Sequence, residues 1–244
     1  MKGEQERAIS PWFVDAFQDR YLALYAHRDS REAERLTSTL DRAGHLRGQV
    51  LDLCCGGGRL LAALPAGAIG LDLSLPLLRA ARVTDAKQSL VRADMRRLPL
   101  GAQRFDLAIS FFTSFGYFDS PEDDGAVLTE VRRVLRPEGR LVLDFLNADE
   151  LRRTLEPETS RRVGDLEVRE SRWIDESGPF VRKRVTIGAD VWEERVRLYT
   201  ASELHRQLEA HGLRVVETWG DYEGCPFDPA QSPRVISIAI KEGA

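Results

Sequence analysis

One segment, Val50-Leu-Asp-Leu-Cys-Cys-Gly-Gly-Gly58, constrains the fold of this 244-residue chain more than any other. Residues 50–53 predict a short buried strand, and the glycines that follow predict a turn into the next helix. In open α/β sheets, ligands bind in the crevice beyond the carboxyl ends of such strands. The segment therefore predicts an α/β fold with a ligand site at this turn.

Short apolar segments alternate with helical ones through residue 150. Residues 10–43 predict helices that precede the first strand. Further strands are predicted at 68–73, 89–92, 105–112 and 141–146, and further helices at 76–82 and 123–135. Because parallel strands are joined by helical crossovers that cover both faces of the sheet, this order is typical of a doubly wound, Rossmann-like sheet.

The hydrophobic period changes after residue 150. Segments 166–173, 181–187 and 193–199 tend to alternate apolar with charged residues, which predicts antiparallel strands with one solvated face and a turn at Ser177-Gly178-Pro179. We expect Trp173 and Trp192 to supply the packed face of this β insertion, residues 163–199. The sequence leaves open whether the insertion covers a ligand site or pairs with another subunit.

Residues 200–244 return to the α/β pattern. Thr200-Ala-Ser-Glu203 is a capping box, and Gly212 is placed to end the helix that it begins. Strands are predicted at 215–216 and 235–240. We expect a single domain, with a helical lid (10–43), a ligand-binding core (44–150), the insertion (163–199) and a closing helix and strands (200–244).

Composition excludes several classes of protein. The chain has 35 basic and 39 acidic residues, interspersed and with a net charge of −4, which opposes a role in binding nucleic acid. No apolar run approaches the roughly 20 residues that cross a bilayer, and the first residues lack the core of a secretory signal, so we expect a cytoplasmic protein. Cys54, Cys55 and Cys225 fit neither a disulfide framework nor a zinc site, and no metal is expected.

Carboxylates stand at the carboxyl ends of three successive predicted strands, as Asp52, Asp72 and Asp94. A dinucleotide-binding turn would need a glycine where the sequence has Leu61, and Asp52 would repel a pyrophosphate. A cation is attracted instead, and S-adenosylmethionine carries both an ammonium and a sulfonium.

The other two carboxylates fit the nucleoside of the same molecule. Asp72 is placed to accept the hydroxyls of a ribose, although an aspartate before Leu-Ser is also typical of a helix N-cap. Asp94 is placed to accept from the amine of an adenine held between Leu73 and Met95. Three carboxylates in strand order therefore favour a nucleoside site.

These motifs resemble those of the class I S-adenosylmethionine-dependent methyltransferases of small molecules. The resemblance covers residues 48–147 through VLDLCCGGGRL, GLDLS, RADMRRLP, FDLAISFFTSFGYF and LRPEGRLVLDFLN, and extends to residues 197–222. It implies a seven-stranded sheet with a reversed last strand. Asp52 and the turn from Gly56 to Gly58 would hold the methionine end, Asp72 the ribose, and Asp94 with Met95 the adenine.

Two further residues near the cofactor follow from the same segments. The family's usual first glycine is replaced by Cys54, whose Cβ narrows the approach of the backbone to the cofactor. Cys54 is a weak candidate nucleophile because no histidine lies near it in the sequence. Phe111, at the end of the fourth predicted strand, is also expected to bind the cofactor.

The predicted lid supplies residues from the other side. Tyr21, Tyr25 and Arg28 share one helical face at i, i+4 and i+7. In the methyltransferases that this chain resembles, a tyrosine and a basic residue from this region close over the cofactor, which implies that Arg28 pairs with the methionine carboxylate. His27 is a candidate general base.

The acceptor side is less constrained. Methyl transfer from a sulfonium is an in-line displacement in which alignment supplies roughly 7–11 kcal/mol, so no signature base is required. Tyr117 is a candidate to orient the nucleophile or cap the pocket, and Tyr222 and Phe227 are candidates to wall the acceptor pocket. No N-P-P-Y or D-P-P-Y pattern of nucleic-acid amino-methyltransferases occurs in the Tyr117 loop.

The sequence therefore predicts a methyltransferase that uses S-adenosylmethionine on a small-molecule acceptor and works as a monomer or homodimer. An RNA methyltransferase and a non-catalytic S-adenosylmethionine-binding module are the alternatives. A nicotinamide-dependent dehydrogenase is opposed by Leu61 and Asp52. The accepting atom, whether N, O, S or C, is left open.

Overall fold

Two β-sheets organise the protein, which we describe from a computed structural model for residues 11–25, 30–84, 89–176 and 178–243. The strands are β1 Val50–Leu53, β2 Ile69–Asp72, β3 Ser89–Arg92, β4 Phe105–Ser110, β5 Leu135–Leu146, β6 Glu158–Val163, β7 Leu166–Ile174, β8 Phe180–Ile187, β9 Asp190–Arg197, β10 Leu213–Trp219 and β11 Arg234–Lys241. The helices are α1 Trp12–Ala16, α2 Asp19–Leu24, α3 Arg31–Arg42, α4 Leu75–Thr84, α5 Pro121–Val134, α6 Ala148–Thr154 and α7 Ala201–Ala210.

The larger sheet has seven strands in the order β10-β11-β5-β4-β1-β2-β3. The strands β1 to β5 pair in parallel, whereas β11 runs antiparallel to both β5 and β10. The predicted seven-stranded sheet with a reversed last strand is thus confirmed. Strand order changes direction between β1 and β4, and in open α/β sheets such a switch point is where a ligand crevice forms.

Apolar side chains cover both faces of the central strands, as parallel strands between helices require. On one face, Leu51 and Phe145 belong to a buried cluster that includes Val131 of α5. On the other face, Val50 packs in a cluster with Leu36 of α3. With its side chains fixed on both faces, the sheet holds the ends of its strands rigidly.

The β insertion forms a separate sheet, in which β6, β7, β8 and β9 pair in order and antiparallel. The antiparallel strands were expected, but the predicted boundary at 163 is wrong because the sheet begins at Glu158. The first strand, Glu158–Val163, has a mostly polar sequence and alternates exposed with half-buried residues at the sheet edge. Its hydrophobic pattern is therefore too weak to predict a strand.

The inward face of the insertion supports the lid helices. Ala16 and Leu24 pack with Val168, Val185 and Trp192 in one apolar cluster. Trp192 therefore lies in the packed face as expected. Trp173 does not belong to this cluster, since it is half-buried and lies 5.6 Å from the guanidinium of Arg184.

Two predicted elements are shorter than expected. The helical prediction for 10–43 is interrupted at Phe17, whose φ of −93° and ψ of 61° end α1 and start a new direction for α2. The helix expected after the glycine turn is reduced to one 3₁₀ turn, Leu61–Ala63. The interruptions place the lid and the glycine turn close to the carboxyl ends of the strands.

Within the described ranges, no helix has the length and apolar character needed to span a bilayer.

The predicted capping box of α7 is present, which allows a matched test of its contribution. The Thr200 hydroxyl accepts from the Glu203 backbone N–H (3.3 Å), while the Glu203 carboxylate accepts from the Thr200 backbone N–H (2.9 Å). We expect Thr200→Ala to lower the free energy of unfolding by about 1 kcal/mol, and Thr200→Ser to retain most of it. Urea denaturation measures both variants. Equal stability of the two would contradict a role for the hydroxyl.

Candidate active site

Three carboxylates meet at one edge of the large sheet. Asp52 lies in β1, Asp72 ends β2, and Asp94 lies two residues beyond β3. All three line one cavity of about 740 Å³. Because these neighbouring strands are parallel, their carboxyl ends share an edge, and the three carboxylates that the sequence places at successive strand ends lie at that edge.

The turn after β1 brings backbone groups to the same cavity. Cys54 has a φ of +62°, and Gly56 and Gly58 also have positive φ values, of 53° and 81°. Cys54 thus adopts a conformation that favours glycine, at the position where the resemblance expects one. Burial raises the pKa of the Cys54 thiol well above its usual value, which keeps the sulfur protonated and argues against a nucleophile.

Asp52 is the most deeply buried of the three carboxyl groups in the cavity. Its side chain is 1% exposed, and its Oδ2 has no hydrogen-bond partner in the described part of the chain. Burial, followed by the charge of Asp72, raises the pKa of Asp52 to about 8. An unpaired, buried carboxylate oxygen is costly unless a cation or a donor meets it. The site therefore fits a cationic group next to Asp52.

Asp72 is held on both oxygens by the backbone. Its Oδ1 accepts from the N–H of Ser74 and its Oδ2 from the N–H of Gly56, each at 2.8 Å. The N-cap alternative is therefore partly realised, since Asp72 binds the chain at the start of α4. A carboxylate oxygen has two lone pairs, so each oxygen can still accept one donor from a ligand.

Asp94 is engaged more fully. The guanidinium of Arg96 donates to both of its oxygens, with Nη2 at 2.7 Å from Oδ2, and the Arg96 N–H donates to Oδ1 at 2.9 Å. Burial raises the pKa of Asp94, but these hydrogen bonds outweigh it and hold the pKa below its usual value. Asp94 is therefore an ionised acceptor whose position is fixed by Arg96.

Lid and loop aromatics close the cavity from above. The rings of Tyr21 and Tyr25 lie 4.5 Å apart, and Phe17 stacks on Tyr117 at 5.6 Å. The hydroxyl of Ser74 donates to the carbonyl of Phe17 (2.6 Å) and so ties the lid to the end of β2. His27 and Arg28 lie outside the described residues.

The remaining predicted cofactor residues all line the same cavity. They are Leu73, Met95 and Phe111, together with the two lid tyrosines and the carboxylates already placed. The Met95 sulfur lies 3.5 Å from the Cys54 sulfur. Leu73 and Met95 thus line the cavity together with Asp94.

A second cavity of about 960 Å³ adjoins the first. Both cavities are lined by the same five aromatic residues, Phe17, Tyr21, Tyr25, Phe112 and Tyr117. Tyr222 lines the second cavity, as expected for an acceptor wall. Phe227 lines neither cavity and packs against the large apolar core instead, so that prediction is wrong.

The β insertion contributes a polar wall that sequence reasoning missed. Lys183 and Glu194, on neighbouring strands β8 and β9, line the second cavity. The Lys183 ammonium lies 2.6 Å from a Glu194 oxygen and donates to the Tyr25 hydroxyl at 2.6 Å. The insertion therefore covers a cavity. The alternating charges of its strands indicated a solvated face, and nothing in the pattern showed which ion pair would face inward.

The loop after β4 is shaped by a buried carboxylate that was also missed. Asp144, at 0% exposure in β5, accepts from the N–H of Phe112 at 2.8 Å. Phe112 and Thr113 have φ values of 59° and 60°, so the strand predicted at 105–112 ends at Ser110. Asp144 also pairs with Arg234, at the start of β11. An aspartate within an apolar strand was the available signal.

Within residues 11–25, 30–84, 89–176 and 178–243, no group of three or more His, Cys, Asp or Glu side chains is arranged to hold a metal ion.

Comparisons with known proteins agree with this geometry. Residues 50–139 match a family model described as a methyltransferase domain. The demethylmenaquinone methyltransferase of Lactiplantibacillus plantarum is 35% identical over 133 residues, which cover 50% of this chain and 53% of that protein. The malonyl-[acyl-carrier protein] O-methyltransferase of Pseudescherichia vulneris is 39% identical over 105 residues, covering 42% and 40%. The chain spans about half the length of the curated relatives it matches.

A solved structure extends the similarity to the whole fold. The S-adenosylmethionine-dependent methyltransferase from Clostridium acetobutylicum superposes with a TM-score of 0.78 at 16% identity, covering 92% of this chain and 99% of that one. At this identity the likeness shows the fold alone. Residues 50–139 are thus similar to a methyltransferase domain, and the chain as a whole has the fold of an S-adenosylmethionine-dependent methyltransferase.

Proposed function

We propose that this protein transfers a methyl group from S-adenosylmethionine to a small-molecule acceptor. The observation that carries the proposal is the meeting of Asp52, Asp72 and Asp94 in one cavity, with an Asp52 oxygen unpaired. The volume of about 740 Å³ lies in the range of roughly 300–1,000 Å³ typical of small-molecule sites. The acidic cavity fits a cationic nucleoside and disfavours a dinucleotide.

Different residues of the cavity would bind different parts of the cofactor. Asp52 and the turn from Gly56 to Gly58 would hold the methionine end, because the unpaired carboxylate oxygen meets an ammonium there. Asp72 would accept from the ribose hydroxyls with its remaining lone pairs. Asp94 would accept from the adenine amine, with the ring between the side chains of Leu73 and Met95.

The main contribution of this chain to the reaction is to align the acceptor with the methyl group and the sulfur. Bound S-adenosylmethionine supplies an electrophilic methyl group on a sulfonium that leaves as a neutral thioether. The shared aromatic wall would exclude water and direct the acceptor from the second cavity toward the first. Tyr117 lies at this junction, and burial raises the pKa of its phenol well above the usual value. Tyr117 therefore serves as a hydrogen-bond donor that orients the acceptor, not as a base.

Calorimetry with S-adenosylmethionine and its demethylated product, S-adenosylhomocysteine, tests the cofactor assignment. A product assay across amine, hydroxyl, thiol and carbon acceptors then tests the reaction. We expect saturable binding and formation of S-adenosylhomocysteine above the blank with at least one acceptor. Binding without turnover across the panel would instead support the non-catalytic module. Salt-dependent binding of tRNA or rRNA would favour the RNA methyltransferase.

A strand-end aspartate at the opposite edge of the sheet provides a matched control for Asp72. We expect Asp72→Ala to weaken S-adenosylhomocysteine binding by at least about tenfold, because hydrogen bonds to a charged acceptor are lost. Asp106 also accepts a hydrogen bond from a backbone N–H, that of Gln49, but it is the second residue of β4 and lies at the amino edge. Asp106→Ala should therefore leave the affinity within about twofold of wild type. Equal losses in the two variants would contradict a ribose contact.

The raised pKa of Asp52 predicts that ligand binding releases a proton. With a pKa of about 8, Asp52 in the free protein is mostly protonated at about pH 6.5, where an α-amino group is already an ammonium. An ammonium placed beside Asp52 lowers that pKa, so up to about one proton leaves per ligand bound. The calorimetric enthalpy of S-adenosylhomocysteine binding should then vary with the ionisation enthalpy of the buffer.

Asp52→Asn is the control for this release. The amide keeps the shape of the side chain but has no proton to lose, so its binding enthalpy should be the same in phosphate and Tris-type buffers. Buffer dependence that persists in Asp52→Asn would assign the proton to another group. A wild-type enthalpy that is independent of buffer would contradict the placement of the ammonium beside Asp52.

A further inference from the structure

The wall of the second cavity includes a polar cluster that the proposed reaction leaves unused. The cluster consists of Arg234, Asp144 and Thr113, and it joins β11, β5 and the loop after β4. The guanidinium of Arg234 donates from Nε to Asp144 Oδ1 and from Nη2 to the Thr113 hydroxyl oxygen, each at 2.7 Å. Arg234 and Thr113 line the cavity, whereas Asp144 lies fully buried behind them.

Two hydrogen-bond donors of this cluster have no acceptor among the described residues. In the part of the chain that the structure describes, no group bonds the Nη1 of Arg234 and no acceptor takes the hydroxyl proton of Thr113. Both groups belong to side chains that line the second cavity. A guanidinium Nη1 beside a hydroxyl is a pair of donors that suits the oxygens of a carboxylate or a phosphate.

Asp144 fixes this arrangement instead of competing for a ligand. Its two oxygens accept from Arg234, from the Phe112 N–H and from the Tyr222 hydroxyl at 3.1 Å. These bonds hold Thr113 in its left-handed conformation, with a φ of 60°. A backbone held in this sparsely populated region costs free energy and persists only where neighbours enforce it. The carboxylate thus fixes both donors from behind.

The charge of the cavity lining favours an anion, since basic side chains outnumber acidic ones there. Three of the other arginines are each paired, as Arg234 is with Asp144, with a carboxylate that is not part of the lining: Arg172 with Glu170, Arg182 with Asp175 and Arg195 with Asp119. Arg234 differs from these three in the Thr113 hydroxyl that it contacts. At the more exposed rim, Arg35 pairs with Glu223 at 3.4 Å. Of the carboxylates in the lining, Glu32 is the one whose charge raises the pKa of Arg234, and Glu32 is itself paired with Arg59.

We propose that Arg234 and Thr113 bind an oxyanion of the methyl acceptor, so that the acceptor is an acid or a phosphate ester. This inference rests on the proposed function, because it takes the second cavity as the acceptor cavity. The five aromatic residues shared with the first cavity place the reacting end of the acceptor at the junction of the two cavities. The oxyanion at the other end of the acceptor binds to Arg234 and Thr113. Arg234 is therefore a specificity-determining residue.

A purely structural role for Arg234, neutralising Asp144, makes a different prediction. In that case Arg234→Gln would lower stability and weaken every ligand alike, since a buried carboxylate would lose its partner. Thr113 separates the two roles without disturbing the ion pair. Thr113→Val removes the hydroxyl but keeps the branched shape, and Thr113→Ser keeps the hydroxyl.

The experiment uses three small probes that share one ring and differ in charge. Benzoate, phenyl phosphate and benzyl alcohol are titrated into the full chain by ligand-observed NMR, with and without saturating S-adenosylhomocysteine. Wild type, Thr113→Val, Thr113→Ser and Arg234→Gln are compared. Arg214→Gln serves as the control, since Arg214 is an exposed arginine of β10 paired with Glu242. The affinity of S-adenosylhomocysteine is measured for each variant separately.

We expect benzoate or phenyl phosphate to bind wild type at least about tenfold more tightly than benzyl alcohol. The tighter of the two identifies the anion as a carboxylate or a phosphate. Arg234→Gln should weaken that anion by at least about tenfold and Thr113→Val by about threefold or more, with Thr113→Ser and Arg214→Gln close to wild type. The affinity for S-adenosylhomocysteine should stay within about twofold throughout.

Other results overturn the inference. Benzyl alcohol that binds as tightly as the anions, or anion affinities unchanged in Thr113→Val and Arg234→Gln, would leave no oxyanion site. If S-adenosylhomocysteine binds and neither anion does, this inference fails while the proposed function stands. If S-adenosylhomocysteine does not bind, the proposed function fails and this inference fails with it. Should Arg234→Gln fold poorly, the Thr113 pair decides.

Discussion

The structure depends on one electrostatic constraint, which is the burial of acidic side chains where parallel strands end together. Asp52 and Asp72 lie on adjacent strands and are almost completely buried, so burial raises the pKa of both, and the charge of Asp72 raises that of Asp52 further. The backbone N–H groups of Gly56 and Ser74 stabilise Asp72, but Oδ2 of Asp52 has no such partner. The fold therefore keeps a carboxyl oxygen of Asp52 buried without a partner, and a cation placed beside it would stabilise the ionised form of Asp52.

The reversed last strand extends the same edge with the opposite charge. Because β11 runs antiparallel to β5, its first residue lies beside the last residues of β5, with Arg234 opposite Leu146 and Ile236 opposite Asp144. This register brings Arg234 to the carboxyl edge, next to the loop that Asp144 shapes. One end of the edge thus suits a cation and the other an anion, and the aromatic residues shared by the two cavities lie between them.

The sequence predicted the parallel strands and the α7 capping box because each has a local signal, whereas the reversed strand was implied only by the resemblance to a known family. Apolar runs bounded by Gly, Pro and polar residues specify strands, and Thr200 with Glu203 specifies a helix start. The failures occurred where tertiary contacts override local pattern. The apolar pattern predicts a strand through Phe112, but the backbone N–H of Phe112 donates to the Asp144 carboxylate instead. A helix is predicted after the glycine turn, but only the 3₁₀ turn Leu61–Ala63 forms there. Strand β6 had too little apolar character to be predicted.

The same physical difference explains why the residues of the first cavity were predictable from the sequence and those of the second were not. The first cavity takes its three carboxylates from consecutive strand ends, so order along the chain maps directly onto position along one edge. The second cavity is assembled from segments far apart in sequence: α2, the loop after β4, β8 and β9, and β11. The pairs that shape it, Lys183 with Tyr25 and Arg234 with Asp144, are 158 and 90 residues apart. Their meeting depends on strand register and helix placement, which no local pattern encodes, so acceptor specificity can diverge while the cofactor motifs stay recognisable.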